Sequence, residues 1–233
     1  MKIYGKNVVK EALLSGDVKE VYLANNFRDD EIMFFINKHG INKKILPKEK
    51  IDRMVDGMHQ GIIAEVPDFE YNTLDEVMVE NGFLVILDHL EDPHNFGAII
   101  RTCEAAGVNG IIIPKDRSVS VNPTVIKVST GAIKNMKIAQ VTNINNAIDE
   151  LKKNGYWIVG TDMEGENYDE IDYGGSIAIV IGNEGSGMSK LTHDKCDFIA
   201  SIPMRGKTNS LNASVATGII IFNALKNRGK NGL

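Results

Sequence analysis

Apolar residues along most of this chain fall in short, nearly continuous runs that alternate with polar stretches of helical period. The runs predict buried strands at 83–87, 110–113, 136–141, 156–161, 176–181 and 198–202. Apolar residues spaced three and four apart predict helices at about 95–106, 122–131, 144–154, 188–194 and 212–227. This alternation is typical of an α/β fold with helices on both faces of a largely parallel sheet.

The first 66 residues show a separate pattern of shorter elements. Helices are predicted at 7–15, 29–38 and 48–55, and strands at 18–24, 41–46 and 61–66. Residues 67–72 are polar, begin with proline and lack periodicity, which is typical of a linker. Thr73 is expected to cap a helix that ends near Gly82, with Glu76 completing a capping box. We therefore divide the chain into a small α/β domain with its linker, residues 1–70, and a larger domain, residues 71–233.

Composition is that of a soluble globular protein, with 24% charged and 43% hydrophobic residues. No apolar run approaches the roughly 20 residues that span a bilayer, and the start of the chain lacks a secretory signal pattern. We therefore expect a cytoplasmic protein with no membrane partner. Cys103 and Cys196 lie in ordinary segments, so reduced structural thiols are expected. His89 and His94 have no ligand partner at a useful spacing, so no metal site is predicted.

The formal net charge of −5 argues against a uniformly basic face for nucleic acid. Local charge matters more than the sum, however. Two basic clusters stand out: Lys43, Lys44, Lys48, Lys50 and Arg53, and then Lys115, Arg117, Lys127, Lys134 and Lys137. Solvated surface faces are the alternative for any single lysine. Composition alone therefore does not predict an RNA partner.

Three polar loops follow predicted strands and carry most of the unusual chemistry. Residues 88–101 form a polar turn that enters a helix, and residues 177–187 form a strand that ends in a loop with three glycines. Residues 202–223 run from a polar loop into a helix of small residues, for which Asn212 is a candidate N-cap. Ligands of α/β sheets bind outside the carboxyl ends of strands, so the loops are predicted to share one site. The Gly-x-Gly-x-x-Gly fingerprint of a nicotinamide site is absent near Asp88.

These loops resemble the three motifs of the SpoU/TrmH branch of the SPOUT RNA methyltransferases. The first two motifs match Asn95-Phe-Gly-Ala-Ile-Ile-Arg101 and Ile181-Gly-Asn-Glu-Gly-Ser-Gly-Met188. The third matches two segments, Ser201-Ile-Pro-Met204 and Ser210-Leu-Asn-Ala-Ser214. The chain start, Tyr4-Gly-Lys-Asn-Val-Val9 with His59-Gln-Gly-Ile62, resembles the L30e-like substrate-binding domain of bacterial 23S rRNA guanosine 2′-O-methyltransferases. Each motif is short, but the ordered set covers most of the chain.

The resemblance implies a SPOUT-type sheet with a deep trefoil knot in the larger domain and an L30e-like domain before it. Periodicity alone predicts an unknotted doubly wound sheet, so the knot rests on the resemblance. The resemblance also implies S-adenosylmethionine as methyl donor. It further implies a homodimer through the catalytic domain, with catalytic groups completed across the interface.

Site residues are likewise carried over from the resemblance. The expected cofactor residues are Gly182, Asn183, Ile202, Met204 and Leu211, and the expected catalytic residues are Asn95, Arg101, Glu184, Ser210 and Asn212. A guanidinium keeps its protons, since its pKa exceeds ~12, so Arg101 is expected to clamp the target phosphate and stabilise the developing alkoxide. Helix capping is the alternative for Asn95 and Asn212, and core packing for Ile202 and Leu211.

The predicted function is transfer of a methyl group from S-adenosylmethionine to the ribose 2′-hydroxyl of a guanosine in 23S rRNA. One alternative is the same chemistry on a tRNA ribose. Another is a non-catalytic RNA-binding or ribosome-assembly protein with this fold. RNA is the expected partner, and DNA is not expected. A metabolic nucleotide enzyme would need a phosphate loop, and the sequence contains none.

Overall fold

A four-stranded mixed sheet forms the centre of the first of two units in this computed structural model, which describes residues 1–208 and 210–230. The sheet order is β1-β4-β2-β3, and only the β2–β3 pair is parallel. Its strands are β1 (Lys2–Tyr4), β2 (Glu20–Ala24), β3 (Asn42–Leu46) and β4 (Ile62–Glu65). The helices are α1 (Lys6–Ser15), α2 (Asp30–Lys38) and α3 (Lys48–Asp52). β1 was not predicted, because three residues are too few to show a period.

The first unit is discontinuous in sequence. It comprises Met1–Glu70 and Val121–Gly131, and the second unit comprises Tyr71–Ser120 and the residues from Ala132 onward. The predicted division ran the larger domain unbroken from 71 to 233, whereas contacts group Val121–Gly131 with the first unit. That segment carries α6 (Pro123–Ser129), whose Ile126 packs against the apolar core formed by α1, α2 and the sheet.

A six-stranded parallel sheet forms the centre of the second unit, in the order β10-β8-β9-β5-β6-β7. Its strands are β5 (Phe83–Leu87), β6 (Gly110–Pro114), β7 (Ile138–Val141), β8 (Trp157–Asn167), β9 (Ile177–Ile181) and β10 (Phe198–Ser201). Every residue of β5, β6 and β9 is buried, because helices cover both faces. The predicted α/β class with a parallel sheet is confirmed. The trefoil knot stays a prediction.

The helices of the second unit are α4 (Leu74–Val77), α5 (Pro93–Ala105), α7 (Ile144–Lys153), α8 (Lys190–Lys195) and α9 (Ala213–Lys230), with a 3-10 turn at Ala132–Lys134. The Glu76 carboxylate accepts a 2.6 Å hydrogen bond from the Thr73 amide, as a capping box requires. The prediction that this helix runs to Gly82 is wrong. The Tyr156 hydroxyl accepts from the Val79 amide (2.9 Å) and donates to its carbonyl (2.8 Å), so a distant residue replaces the helical partners.

Two further features place α9 and β8 beside the loops that follow the sheet. The Arg228 guanidinium donates to the carbonyls of Tyr173, Gly175 and Asn81, so it fixes the carboxyl end of α9 near the starts of β5 and β9. The amino end of α9 therefore lies toward the carboxyl ends of the strands. β8 continues to Asn167, beyond its predicted end at 161, where it pairs with β10 alone. Among the helices described, none is long and apolar enough to cross a membrane.

Candidate active site

A cavity of about 380 Å³ opens at the carboxyl ends of β9 and β10, beside the middle of β8. The loops after β9 and β10 and the first turns of α9 enclose it. All five predicted cofactor residues line it, as do two predicted catalytic residues: Gly182, Asn183, Ile202, Met204, Leu211, Glu184 and Ser210. The two motif segments that follow β9 and β10 therefore share one concave site within the second unit.

The loop after β9 is closed by its own backbone. The amides of Asn183 and Gly187 each donate to the other's carbonyl at 3.0 Å. Gly187 has φ of +67°, a left-handed conformation that favours glycine. A Cβ at Gly182 would lie 2.5 Å from the carbonyl carbon of Gly187 and 2.6 Å from the nitrogen of Met188. No side chain fits at Gly182, because the backbone of Gly187 and Met188, where the loop turns back, already fills that space.

Asn183 connects this loop to the loop after β5. Its Oδ1 accepts from the amides of Gly185 (2.8 Å) and Ser186 (3.2 Å), and its Nδ2 donates to the carbonyl of His89 at 2.8 Å. The side chain of Asn183 is thus occupied in holding two loops together. Asn183 therefore contributes to the cavity by fixing the conformation of the loop that lines it.

One residue from each of the three predicted motifs takes part in a single hydrogen-bonded chain. Asn95 is buried, with 7% of its surface exposed. Its Nδ2 donates to Oε1 of Glu184 at 3.0 Å, and its Oδ1 accepts from Nδ2 of Asn212 at 2.9 Å. The predicted convergence of the three loops is therefore what the structure has. Both amide atoms of Asn95 are used, so the orientation of its side chain is fixed.

Helix capping was the alternative role for Asn95 and Asn212, and the structure shows it for Asn212 only. Asp92 caps α5, since its Oδ1 accepts from the His94 amide at 2.8 Å, so Asn95 is not the cap. Asn212 does cap α9, because its Oδ1 accepts from the amides of Ser214 (3.0 Å) and Val215 (3.4 Å). The same side chain bonds Asn95 through its nitrogen. Asn212 therefore joins the start of α9 to the motif on α5.

Arg101 is not brought into this group. It lies six residues after Asn95 on α5, so its side chain points about 120° away around the helix. Its side chain is exposed, and the described residues provide it with neither a hydrogen bond nor an ion pair. Within one chain the structure thus assembles Asn95, Glu184 and Asn212 and leaves Arg101 outside.

Two acidic residues, one in the cavity lining and one in the adjacent loop after β5, were not predicted from the sequence as site residues. Asp88 is 2% exposed; its Oδ2 accepts from the Ser189 amide (3.2 Å) and its Oδ1 lies 2.6 Å from Nδ1 of His89. The signal available was an acid directly after a fully apolar strand. Asp162 lines the cavity from β8, and it was missed because the polar residues after Thr161 do not look like a strand.

Among the residues that the structure describes, neither the two cysteines nor a metal-binding group forms part of this site. Burial raises the pKa of the Cys103 thiol above its usual range and raises that of Cys196 to about 12. Both are free thiols. In the part of the chain that the structure describes, no group of three or more His, Cys, Asp or Glu side chains could hold a metal ion.

Comparison with known proteins gives two family matches. Residues 82–222 match the SpoU rRNA methylase family, and residues 2–72 match the family described as RNA 2′-O ribose methyltransferase substrate binding. The chain is 44% identical to a TrmH family tRNA/rRNA methyltransferase of Staphylococcus saprophyticus and 42% identical to one of Bacillus subtilis. Each alignment covers 99% of this chain and 97% of the relative.

Solved structures agree in fold. The SpoU methyltransferase AviRb from Streptomyces viridochromogenes, solved with AdoMet, has a TM-score of 0.81 at 23% identity over 99% of this chain and 91% of its own. An AdoMet-bound rRNA methyltransferase from Sinorhizobium meliloti has a TM-score of 0.78 at 26% identity over 97% and 86%.

The chain therefore belongs to the SpoU rRNA methylase family. More closely, it is an RNA methyltransferase of the SpoU/TrmH type that carries a substrate-binding domain ahead of its catalytic domain. The family predicted from the three motifs is confirmed.

Proposed function

We propose that this protein methylates the ribose 2′-hydroxyl of a guanosine in 23S rRNA. The observation that carries the proposal is the Glu184–Asn95–Asn212 chain of hydrogen bonds, which stands beside a cavity lined by every expected cofactor residue. The same residues hold the predicted catalytic roles, and Ser210 lines the cavity next to them. The proposed RNA-capturing domain is residues 1–70, which form most of the first unit, and the second unit is the proposed catalytic domain. The proposed place of action is the cytoplasm.

The methyl donor is S-adenosylmethionine, and the cavity suits it on physical grounds. Ligand pockets of this kind enclose about 300–1,000 Å³ and combine apolar walls with a few placed polar groups. Ile202, Met204 and Leu211 supply the apolar wall, and the backbone of the loop after β9 can approach closely because residue 182 is glycine. The carboxylates of Glu184 and Asp162 suit a ligand with positive charge. When bound, S-adenosylmethionine supplies an electrophilic methyl group.

The work of the protein is then mainly alignment. The fixed amide of Asn95 and the capped start of α9 hold polar groups of three loops in one geometry before RNA arrives. Preorganised groups of this kind stabilise developing charge without reorganising during the reaction. Ser210, which lines the cavity, and Asn212 are proposed to contact the ribose. Arg101 is the proposed clamp for the target phosphate.

We propose that Arg101 reaches this site from a second copy of the chain, because in its own chain it is exposed and does not line the cavity. α9 presents Val215 (49% exposed), Phe222 (48%) and Leu225 (38%), an apolar surface that a monomer leaves in water. Val215 and Phe222 are seven residues apart and share one face of the helix. We propose a homodimer through this face, which would carry Arg101 on the adjacent α5 toward the partner's cavity.

A mixing experiment tests the shared site. Arg101→Ala and Asn95→Ala are each expected to lose activity by at least a hundredfold. Mixed and allowed to exchange subunits, they are expected to recover about a quarter of wild-type activity, because one site in each mixed dimer joins an intact pocket to an intact arginine. Mixing without recovery, in samples shown to have exchanged, would place Arg101 in its own chain's site or outside catalysis.

The substrate is tested in cells. A deletion strain is expected to lose one ribose methyl group, at a guanosine of 23S rRNA, when ribose methylation is mapped across all rRNA and tRNA. Loss at a tRNA ribose would instead assign the alternative substrate, which the tRNA/rRNA names of the relatives keep open. Unchanged methylation throughout, together with no calorimetric binding of S-adenosylhomocysteine, would assign the non-catalytic alternative.

A further inference from the structure

A second cavity, of about 530 Å³, lies within the first unit. The loop after β2, the start of α3 and the loop 57–61 before β4 enclose it. Apolar side chains of Phe27 and Met58 line one part of it, and Asn26, Gln60, Arg28 and Lys48 bring polar and cationic groups to the rest. None of these residues belongs to the methyl-transfer site described above.

The loop 57–61 is held in one conformation by its side chains. The Gly61 amide donates to Nδ1 of His59 at 3.0 Å, so that nitrogen carries no proton. The ring proton is therefore on Nε2, which lies 2.8 Å from Oδ1 of Asp52. Gln60 has φ of +52°, an uncommon conformation for a residue with a side chain, and its Oε1 accepts from the Lys6 amide at 2.8 Å. The cavity is thus a built feature of the unit.

Several polar groups around the cavity remain available. The described residues give no partner to the Gln60 amide nitrogen, the Asn26 side chain or the Lys48 ammonium. The Arg28 guanidinium donates through Nη1 to the carbonyl of Phe27 at 2.7 Å, and no carboxylate in the described part of the chain pairs with it. Lys6, by contrast, is paired with Asp29 at 2.9 Å. One carboxylate, Asp52, also lines the cavity, where it is hydrogen-bonded to His59. The two cations without a carboxylate partner outnumber it, and this excess of positive charge in a chain of net charge −5 favours an anionic ligand.

We propose that this cavity holds one unpaired nucleotide of the substrate RNA. Arg28 and Lys48 bind its phosphate, the base packs on the exposed side chain of Met58, and the amides of Asn26 and Gln60 meet the base edge. A duplex keeps its bases stacked inside and cannot place one in a concave site, whereas splayed bases of loops and bulges can enter it. The inference rests on the proposed function only in taking RNA as the substrate.

Binding of a fluorescein-labelled RNA of about 15 nucleotides tests the proposal, measured by anisotropy with the strand single or annealed to its complement. Lys48→Ala is expected to weaken single-strand binding three- to tenfold and to reduce the slope of log affinity against log salt by about 0.7, the value for one phosphate contact. Asn26→Ala is expected to weaken binding about threefold with the slope unchanged, because it removes a neutral hydrogen bond. Lys50→Ala, on the same helix but outside the cavity, is the matched control and should change affinity less than twofold.

Crosslinking gives an independent readout. RNA of the same sequence with 4-thiouridine is expected to crosslink to the peptide that contains Met58. Equal losses for Lys48→Ala and Lys50→Ala, unchanged affinity for Asn26→Ala, equal binding of single strand and duplex, or crosslinks only outside the cavity would each overturn the proposal. If the wild-type protein transferred no methyl group while the variants lost affinity as expected, the proposed function would fail and the nucleotide site would stand.

Discussion

Asn95 is the residue whose replacement tests the site most directly, because its amide is both a donor and an acceptor in the chain of hydrogen bonds. Asn95→Asp keeps the size of the side chain and can still accept from Asn212. It removes the donor to Glu184 and places a carboxylate where the amide nitrogen stood, 3.0 Å from Oε1 of Glu184. The change therefore converts one attraction into a repulsion with little alteration in shape.

The expected loss of stability follows from two contributions. A hydrogen bond to a charged group contributes about 1.5–3 kcal/mol. Two like charges 4 Å apart cost about 4 kcal/mol at an effective dielectric constant of 20, but Glu184 is exposed and can turn toward water, so most of that repulsion is screened. We expect a loss of about 2–3 kcal/mol at pH 8, which lowers the melting temperature by roughly 4–12 °C in a protein of this size.

The pH dependence has a definite sign. Repulsion between adjacent carboxylates raises the pKa of the pair in the folded variant above its value in the unfolded chain. The folded state then binds more protons over that range, so the stability of the variant falls as pH rises and recovers as pH falls. We expect the difference from wild type to shrink as the pH is lowered from 8 to 5, because a protonated carboxyl can donate a hydrogen bond again.

Thermal unfolding at pH 8 and pH 5, with calorimetry of S-adenosylhomocysteine, measures both effects. Asn135→Asp is the matched control, since Asn135 donates to Oε1 of Glu104 at 3.1 Å in a solvent-exposed pair. There the same exchange is expected to cost at most about 0.5 kcal/mol, as for most surface substitutions. If both variants lost the same stability, or if the loss for Asn95→Asp did not depend on pH, our reading of the buried amide would be wrong.

Three further predictions concern the loop after β9, the thiols and the anchor of α9. Gly182→Ala is expected to weaken S-adenosylhomocysteine binding at least tenfold in calorimetry, because its Cβ would collide with backbone at 2.5 Å. Gly185→Ala is the control: its Cβ meets only a side-chain oxygen at 3.5 Å, so its affinity should stay within twofold of wild type. Cys103 and Cys196 should resist a thiol reagent at pH 8 until the chain is unfolded, since burial raises both pKa values; rapid labelling of native protein would contradict this. Arg228→Lys should lower stability by about 1–3 kcal/mol in urea unfolding, because lysine cannot reproduce bonds to three carbonyls; an unchanged midpoint would count against the anchor.

Local features of this protein could be predicted from sequence because their causes are local. A strand buried on both faces needs a continuous apolar run, and β5, β6 and β9 each have one. The start of α9 is encoded by Asn212, whose side chain caps the amides of the next residues. The three motifs and their order likewise identified the family, because the residues of each motif lie in one short segment and can be recognised there without the fold.

Other features depend on residues that meet only after folding. Asn95 bonds Glu184 across a sequence separation of 89 and Asn212 across 117, and no pattern along the chain specifies which amide atom faces which partner. α4 ends early because Tyr156, 77 residues away, takes the backbone groups of Val79. The sequence by itself therefore determined most of the elements, the family and the loops of the site. Only the tertiary structure decided how the buried polar groups pair and which face of α5 meets the site, because both depend on long-range contacts that cannot be read from local periodicity. The second of these leaves Arg101 outside the group.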